Sequence, residues 1–127
     1  YCYNLLGLQR SKIRGHAPLA PGTRQVRVEF AYDGGGLGKG GDVTLYVDGA
    51  QVGQGRWEAT IPLIFSADET ADVGRDTASP VSDDYAGASS VFTGRVNWVQ
   101  LDLGEDAQDA DHLIAPEERL RVAMARQ

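Results

Sequence analysis

The chain has 127 residues, enough for one domain with a single hydrophobic core, and its apolar fraction of 42% argues against a disordered protein. No apolar run approaches the roughly 20 residues that cross a bilayer, so we expect a soluble protein without a membrane partner. The net charge of −6 makes nucleic acid a poor partner, because an acidic surface repels the phosphate backbone.

The N-terminal half alternates apolar and polar residues with the period of β-strands. The clearest case runs from Val26 to Tyr32, which we predict as part of a long half-buried strand. Asp48 and Gly49 are predicted to close a hairpin, because a type I′ turn needs positive φ at both central positions. The predicted strands are residues 1–8, 9–14, 23–32, 42–47, 50–58, 60–66 and 91–103.

The C-terminal half combines a long loop with a last strand and a helix. Residues 67–90 are rich in Asp, Ser, Thr and Gly and are predicted as an irregular loop. In the last predicted strand the apolar side chains change face near Asn97, which indicates a bulge. The domain prediction is one β-sandwich segment over residues 1–127, with strands and loops in 1–112 and a helical tail in 113–127.

Residues 36–41, GLGKGG, match the G-x-G-x-x-G pattern of dinucleotide-binding proteins. That pattern binds a pyrophosphate only where a helix follows the glycines. Here a predicted strand follows, so we interpret residues 33–41 as a flexible hairpin loop.

Five stretches carry a family resemblance. They are YNLLGLQRSKIRG at residues 3–15, YDGGGLGKGG and VTLYVDG at 32–49, FSADETADVGRDTASPVSDDY at 65–85, FTGRVNWVQLDLG at 92–104 and DHLIAPEERLRVAMARQ at 111–127. In this order they resemble the C-terminal region of bacterial and archaeal arylsulfatases, where a jelly-roll module of the laminin-G/concanavalin type follows the catalytic domain. The resemblance implies an all-β, antiparallel jelly-roll sandwich with one short C-terminal helix, whose first strands would precede Tyr1.

The resemblance implies a piece of a sulfatase, not a piece that hydrolyses anything. The family's catalytic cysteine lies in a C-x-P/A-x-R segment, and the residues after Cys2 do not match it. We expect Cys2 to be a small buried thiol on a strand. His16 and His112 lie in predicted loops, and no serine elbow or H-E-x-x-H segment is present. We therefore predict no catalytic, cofactor-binding or metal residue, and no enzymatic activity for this chain alone.

One acidic set has the composition of a calcium site, since calcium takes 6–8 oxygen ligands. Its spacing matches no defined calcium loop, and the alternative is that these side chains cap turns in a solvated loop. A second acidic run, over residues 102–111, is predicted to be a solvated connection. The candidate calcium residues are Asp68, Glu69, Asp72, Asp76, Asp83 and Asp84.

Two further sets admit a binding role. Trp57, Trp98 and Tyr85 could together stack on a sugar, although scattered aromatic residues are more often core or rim residues. We expect Trp57 in the core and leave Trp98 open. The basic residues of the second predicted strand point to one side, where they form either a solvated face or a docking patch: Arg10, Lys12 and Arg14.

The leading hypothesis is a non-catalytic accessory segment of a sulfatase, which completes the fold and packs on the catalytic domain or on a second copy of the chain. The alternative is a binding module for a glycan or sulfated ligand, dependent on calcium or not. Missing strands before Tyr1 would leave a sheet edge open, so we expect the isolated chain to find a partner for it. A single cysteine and no visible signal peptide favour a cytoplasmic over an exported protein.

Overall fold

The computed structural model describes residues 1–62, 71–77, 79–86 and 89–104. Within these ranges two antiparallel sheets form, one of order β1-β2 and one of order β3-β4-β5. The strands are β1 (Cys2–Leu5), β2 (Gln9–Lys12), β3 (Val26–Tyr32), β4 (Lys39–Val47) and β5 (Ala50–Ala59). No residue in the described ranges lies in an α-helix, so the all-β class is confirmed for this part of the chain. The predicted helical tail, residues 113–127, lies outside it.

Strands β1 and β2 form a tight hairpin in which Leu5 pairs with Gln9. The chain reverses at Leu6 and Gly7, whose φ angles are 52° and 75°. The N–H of Leu8 donates to the carbonyl of Leu5 at 2.9 Å and closes the turn. The two predicted strands around Gly7 are confirmed, and both are shorter than predicted.

Strands β3, β4 and β5 form a meander whose second turn is the predicted one. Asp48 and Gly49 have φ angles of 50° and 82°, and Val47 pairs with Ala50 across them. Both central residues therefore have the positive φ that a type I′ turn requires. The Asp48 carboxylate also accepts the N–H of Gln25 at 2.9 Å, which ties this turn to the chain entering β3.

Strand β4 begins at Lys39, so part of the predicted loop 33–41 is strand. Gly41 pairs with both neighbouring strands, to Tyr32 on one side and Trp57 on the other. A Cβ at position 41 would lie 2.6 Å from the ring of Phe30, so only glycine fits there without displacement. The glycines are needed for close packing as well as for the turn.

The core lies where the β1–β2 hairpin and the chain after it cover the β4–β5 half of the larger sheet. The rings of Tyr1 and Tyr3 stack on Trp57 with centroid distances of 5.3 and 4.5 Å. Ile13 crosses β5 at Gly55, where a Cβ would lie 2.8 Å from the Ile13 side chain. The buried apolar residues of the described ranges are Ile13, Val43, Leu45 and Trp57, with Tyr3 and Val52 packed against them.

Three predictions are corrected. The described start of the predicted strand 60–66, residues 60–62, is not strand, because β5 ends at Ala59. Residues 91–104 contain no strand, so the predicted last core strand 91–103 is wrong. A strand needs a neighbour for its backbone hydrogen bonds, and no described strand lies beside these residues. Strand β3 forms as predicted but is exposed along its whole length rather than half-buried.

Candidate functional site

The apolar side of β3 is the main exposed apolar surface of the meander. Its four large side chains stay between 38 and 56% exposed although they share a sheet face with the core. The β1–β2 hairpin covers Trp57 through Tyr1 and Tyr3, and Phe30 contacts the Trp57 ring from within the same sheet, with the ring centroids 5.0 Å apart. We call this surface the β3 face; it consists of Val26, Val28, Phe30 and Tyr32.

Strand β3 is also an edge of its sheet, because β4 is its only hydrogen-bonded neighbour among the described strands. The carbonyl of Gln25 accepts from Asp48 at 2.9 Å, and the N–H of Asp33 donates to Gly40 at 3.1 Å. In an antiparallel ladder, residues alternate between bonding one neighbour and facing the other. The odd-numbered residues of β3 therefore bond to β4, and the backbone groups of the β3 face residues point out of the sheet.

A broad groove borders the start of β3. Its volume is about 870 Å³, and residues 92–98 form its opposite wall. Trp98 lines it with 63% of its surface exposed, and Phe92 is held nearby by its N–H, which donates to the Gly74 carbonyl at 2.7 Å. Arg95 adds positive charge to the apolar lining, whereas the Arg24 guanidinium, also in the lining, is ion-paired with Asp48 at 2.9 Å. The groove thus combines exposed aromatic rings with positive charge.

The other side of the sheet is polar and carries several ion pairs. Arg56 binds Asp33 through both guanidinium NH groups, at 2.6 and 3.1 Å, and this contact holds the pKa of Asp33 below its usual value. Arg27 pairs with Glu29 two residues along β3, and its guanidinium carbon lies 4.0 Å from the centroid of the Tyr46 ring. These charged groups face water, so each contributes little to stability.

Two of the three basic residues of the predicted second strand, Lys12 in β2 and Arg14 two residues after it, lie beside Asp83 and Asp84. Lys12 donates to both Asp83 and Asp84, the latter at 2.9 Å, and Arg14 lies 3.7 Å from Asp84. The ammonium group holds the pKa values of both carboxyl groups below their usual range, and they raise the pKa of Lys12. The Arg14 side chain stays 71% exposed, as the solvated-face alternative predicts, whereas Lys12 binds the acidic segment of the same chain. Arg10 is exposed on the same strand.

The other described acids of the candidate calcium set cap loop turns. Asp72 accepts from the N–H of Thr77 at 2.9 Å, and Asp76 accepts from the N–H of Val81 at 3.0 Å. Asp76 also accepts from the Tyr85 hydroxyl, which raises the pKa of Tyr85. Within the described ranges no group of three or more His, Cys, Asp or Glu side chains is placed to hold a metal ion. Asp68 and Glu69 lie outside those ranges, so calcium stays a prediction.

The three aromatic residues of the proposed sugar platform lie in different surroundings. Trp57 is in the core at 4% exposure, as expected, and Trp98 lines the groove. Tyr85 is tied to Asp76 beside the β1–β2 hairpin. A platform made of all three is therefore wrong, and Trp98 alone remains available to a ligand.

Cys2 and His16, the cysteine and the histidine of the described ranges, each lie against a backbone carbonyl. The Cys2 thiol is partly exposed rather than buried, and it lies 3.5 Å from the carbonyl of Val81. The His16 ring nitrogen Nδ1 lies 2.9 Å from the carbonyl of Val52, far along the chain from the acidic segment. His112 lies outside the described residues.

Sequence reasoning missed two features. Gly53 and Gly55 occur on the inner face of β5, where a Cβ at Gly53 would lie 2.6 Å from the Arg14 carbonyl. Glycines two apart in a strand signal a close approach of another segment, and that signal was readable in VGQGRW. The other feature, the open outer edge of β3, depends on strand order and is not visible in a local pattern.

Comparisons with protein-family models, with curated proteins and with solved structures found no match. In the described ranges, no helix is both long and apolar enough to cross a membrane.

Proposed function

We propose that this chain is a non-catalytic accessory segment of a sulfatase, built as part of a jelly-roll sandwich of the laminin-G/concanavalin type. Its role is to complete that fold and to pack on the catalytic domain or on a second chain. The observation that carries the packing role is the β3 face, an apolar surface beside a core that covers only the β4–β5 half of the sheet. Exposed apolar patches of this kind mark interaction surfaces in soluble proteins.

The sulfatase context rests on the sequence stretches quoted above. Two of them fall on regular structure: residues 3–15 on the β1–β2 hairpin and residues 32–49 on β4 with the turns on either side of it. Both stretches supply turn and packing residues, namely Gly7, Gly41 and Asp48, which supports a scaffold role.

The coding sequence upstream of the Tyr1 codon tests the sulfatase context. We expect an open reading frame that encodes a C-x-P/A-x-R segment and a carboxylate-rich metal site. A stop codon followed by a start codon next to Tyr1 would contradict the proposal. Turnover of an aryl sulfate by this chain alone would contradict its non-catalytic part.

The packing role is tested in the full-length protein so identified. Phe30→Asp places a charge on the β3 face and should lower the melting temperature of the catalytic domain by several degrees, because the interface would bury that charge. Gln54→Asp is the matched control, since Gln54 is an exposed polar residue of β5. Equal effects of the two variants would show that the β3 face is not the packing surface.

A second candidate function is binding of a sulfated glycan in the groove. The observation that favours it is the combination of exposed Trp98 with Arg95 in one cavity. Aromatic rings stack on sugars, and arginine forms paired hydrogen bonds with sulfate-like anions. Binding to a panel of sulfated sugars that Trp98→Ala and Arg95→Ala both abolish would support this function, and loss with a chelator would add calcium to it. Absence of binding across the panel would leave the packing role alone.

A further inference from the structure

We propose that β3 pairs antiparallel with β3 of a second copy of this chain, about a two-fold axis that passes through Val28. The inference concerns the edge of the sheet, not the β3 face, and it does not depend on the parent being a sulfatase. The pairing gives a continuous six-stranded sheet, with the order β5-β4-β3 in one copy followed by β3-β4-β5 in the partner.

Among the described strands β3 has no neighbour on its outer side, and this edge has the length and the outward-directed hydrogen-bonding groups for such a pairing. Strand β3 has seven residues, all of them exposed, and it begins and ends without proline. Val28 and its even-numbered neighbours direct both N–H and C=O away from β4, as the ladder contacts of Gln25 and Asp33 require. An open edge of this length is a template for another strand.

The charges on β3 select the register. With the axis at Val28, Arg27 lies directly opposite the partner's Glu29, and by symmetry Glu29 lies opposite the partner's Arg27. Positions 27 and 29 bond inward to β4, so across the new interface they form the closely spaced, non-hydrogen-bonded pairs in which side chains interact most. The two ions already lie on the same side of the sheet, where they pair within one strand.

Neighbouring registers are disfavoured by the same charges. Moving the axis to Arg27 places two arginines opposite one another, and moving it to Glu29 places two glutamates opposite one another. Like charges directly opposite across strands are destabilising. If one strand is shifted by a single residue instead, the outward-pointing N–H and C=O groups of one copy face residues of the other copy whose backbone groups point toward β4. The hydrogen-bonded ladder between the two copies is then lost. Charge complementarity and backbone direction therefore agree on the axis at Val28.

The apolar side gains from the same register. Val26 lies opposite the partner's Phe30, which joins the two β3 faces into one apolar surface across the axis. Pairs of an aromatic and a β-branched residue are among the favourable cross-strand pairs.

The test is the association constant of the full chain by sedimentation equilibrium, with charge variants on β3. Arg27→Glu and Glu29→Arg each place like charges opposite one another twice per dimer, so each should weaken self-association by about tenfold or more at low salt. An equal mixture of the two variants should associate as strongly as the unchanged chain, because the opposite charges face one another again in the mixed dimer. Neither variant regains its own Arg27–Glu29 ion pair on mixing, so recovery reports the intermolecular contact.

Two further variants control for fold and for net charge. Arg10→Glu makes the same charge change at an exposed position of β2 and should leave association unchanged. Val28→Pro removes the outward N–H at the axis while sparing the bonds to β4, and should abolish the dimer with the far-ultraviolet spectrum retained. A chain that is monomeric at every concentration would overturn the proposal. So would a dimer that the β3 variants do not weaken, or one that the mixture does not restore.

Discussion

The meander and residues 91–104 have similar apolar patterns, but of the two only the meander forms strands with a buried side. Val43, in the middle of β4, is fully buried between two neighbouring strands, whereas Leu101 is 89% exposed and lies in no strand. Both sit in stretches where apolar residues recur at strand spacing. The difference is that the meander has its partners within a few residues along the chain, and residues 91–104 have none among the described strands.

Apolar–polar alternation along a segment does not by itself determine how that segment packs. It indicates that a segment can present one apolar side, and a local turn such as Asp48-Gly49 then brings the partner alongside. Without such a turn the pattern does not say which surface covers the apolar side. Strand β3 is intermediate: it is paired on one edge, and within the described residues its apolar face is exposed and its outer edge has no strand beside it.

The largest expected effect separates the two tryptophans. Trp57→Ala should lower the free energy of unfolding by about 3–5 kcal/mol, because it removes the ring on which Tyr1 and Tyr3 stack. Trp98→Ala, the same change in the exposed segment, should stay within about 0.5 kcal/mol. Urea unfolding followed by circular dichroism measures both. Similar losses for the two variants would mean that residues 91–104 are packed as firmly as the core.

A smaller effect is expected where Ile13 crosses β5. Gly55→Ala should cost about 1–3 kcal/mol, because the new methyl group would meet Ile13 at 2.8 Å inside a packed core. Gly104→Ala is the matched control in the other region, since a Cβ there has no atom within 4 Å. A neutral Gly55→Ala, measured by the same unfolding experiment, would contradict the close crossing.

The smallest effect concerns pH and the contact between β2 and the acidic segment. Lys12 lowers the pKa values of Asp83 and Asp84, so the folded state binds fewer protons than the unfolded state in acid. The stabilisation is complete above the ordinary aspartate pKa of about 4 and is lost as the pH falls through the lowered values. The raised pKa of Lys12 means that the contribution disappears again only in strong alkali, as the ammonium group loses its proton.

Substitution isolates this contact. The unfolding free energy of the Asp83→Asn, Asp84→Asn double variant should fall less between about pH 7 and pH 3 than that of the unchanged chain. The effect is small because water screens exposed ion pairs. Parallel pH curves for the double variant and the unchanged chain would argue against the Lys12 contact in solution.

The features that sequence could predict are the local ones. The type I′ turn at Asp48-Gly49 and the hairpin around Gly7 follow from residues that tolerate positive φ, and the burial of Trp57 follows from its place in an alternating strand. These features depend on residues close together in the chain. The five strands of the meander and hairpin were therefore predicted with errors mainly at their ends.

The features that sequence could not predict depend on distant segments. The predicted strand 91–103 failed because a strand is defined by a neighbour that the local pattern does not name. The pairing of Lys12 with Asp83 joins residues 71 positions apart, and spacing offered no reason to connect them. For the same reason the candidate calcium acids could be grouped by composition but not by position in space.

Amide hydrogen exchange, measured at several protein concentrations, tests whether the outer edge of β3 is an interface between two copies of the chain. The amides of Arg27 and Glu29 face β4 and should be protected at every concentration. The amides of Val28 and Phe30 face outward and should become protected as concentration rises and the edge is paired. Exchange of Val28 and Phe30 at the rate of an unstructured peptide at every concentration would contradict this interface.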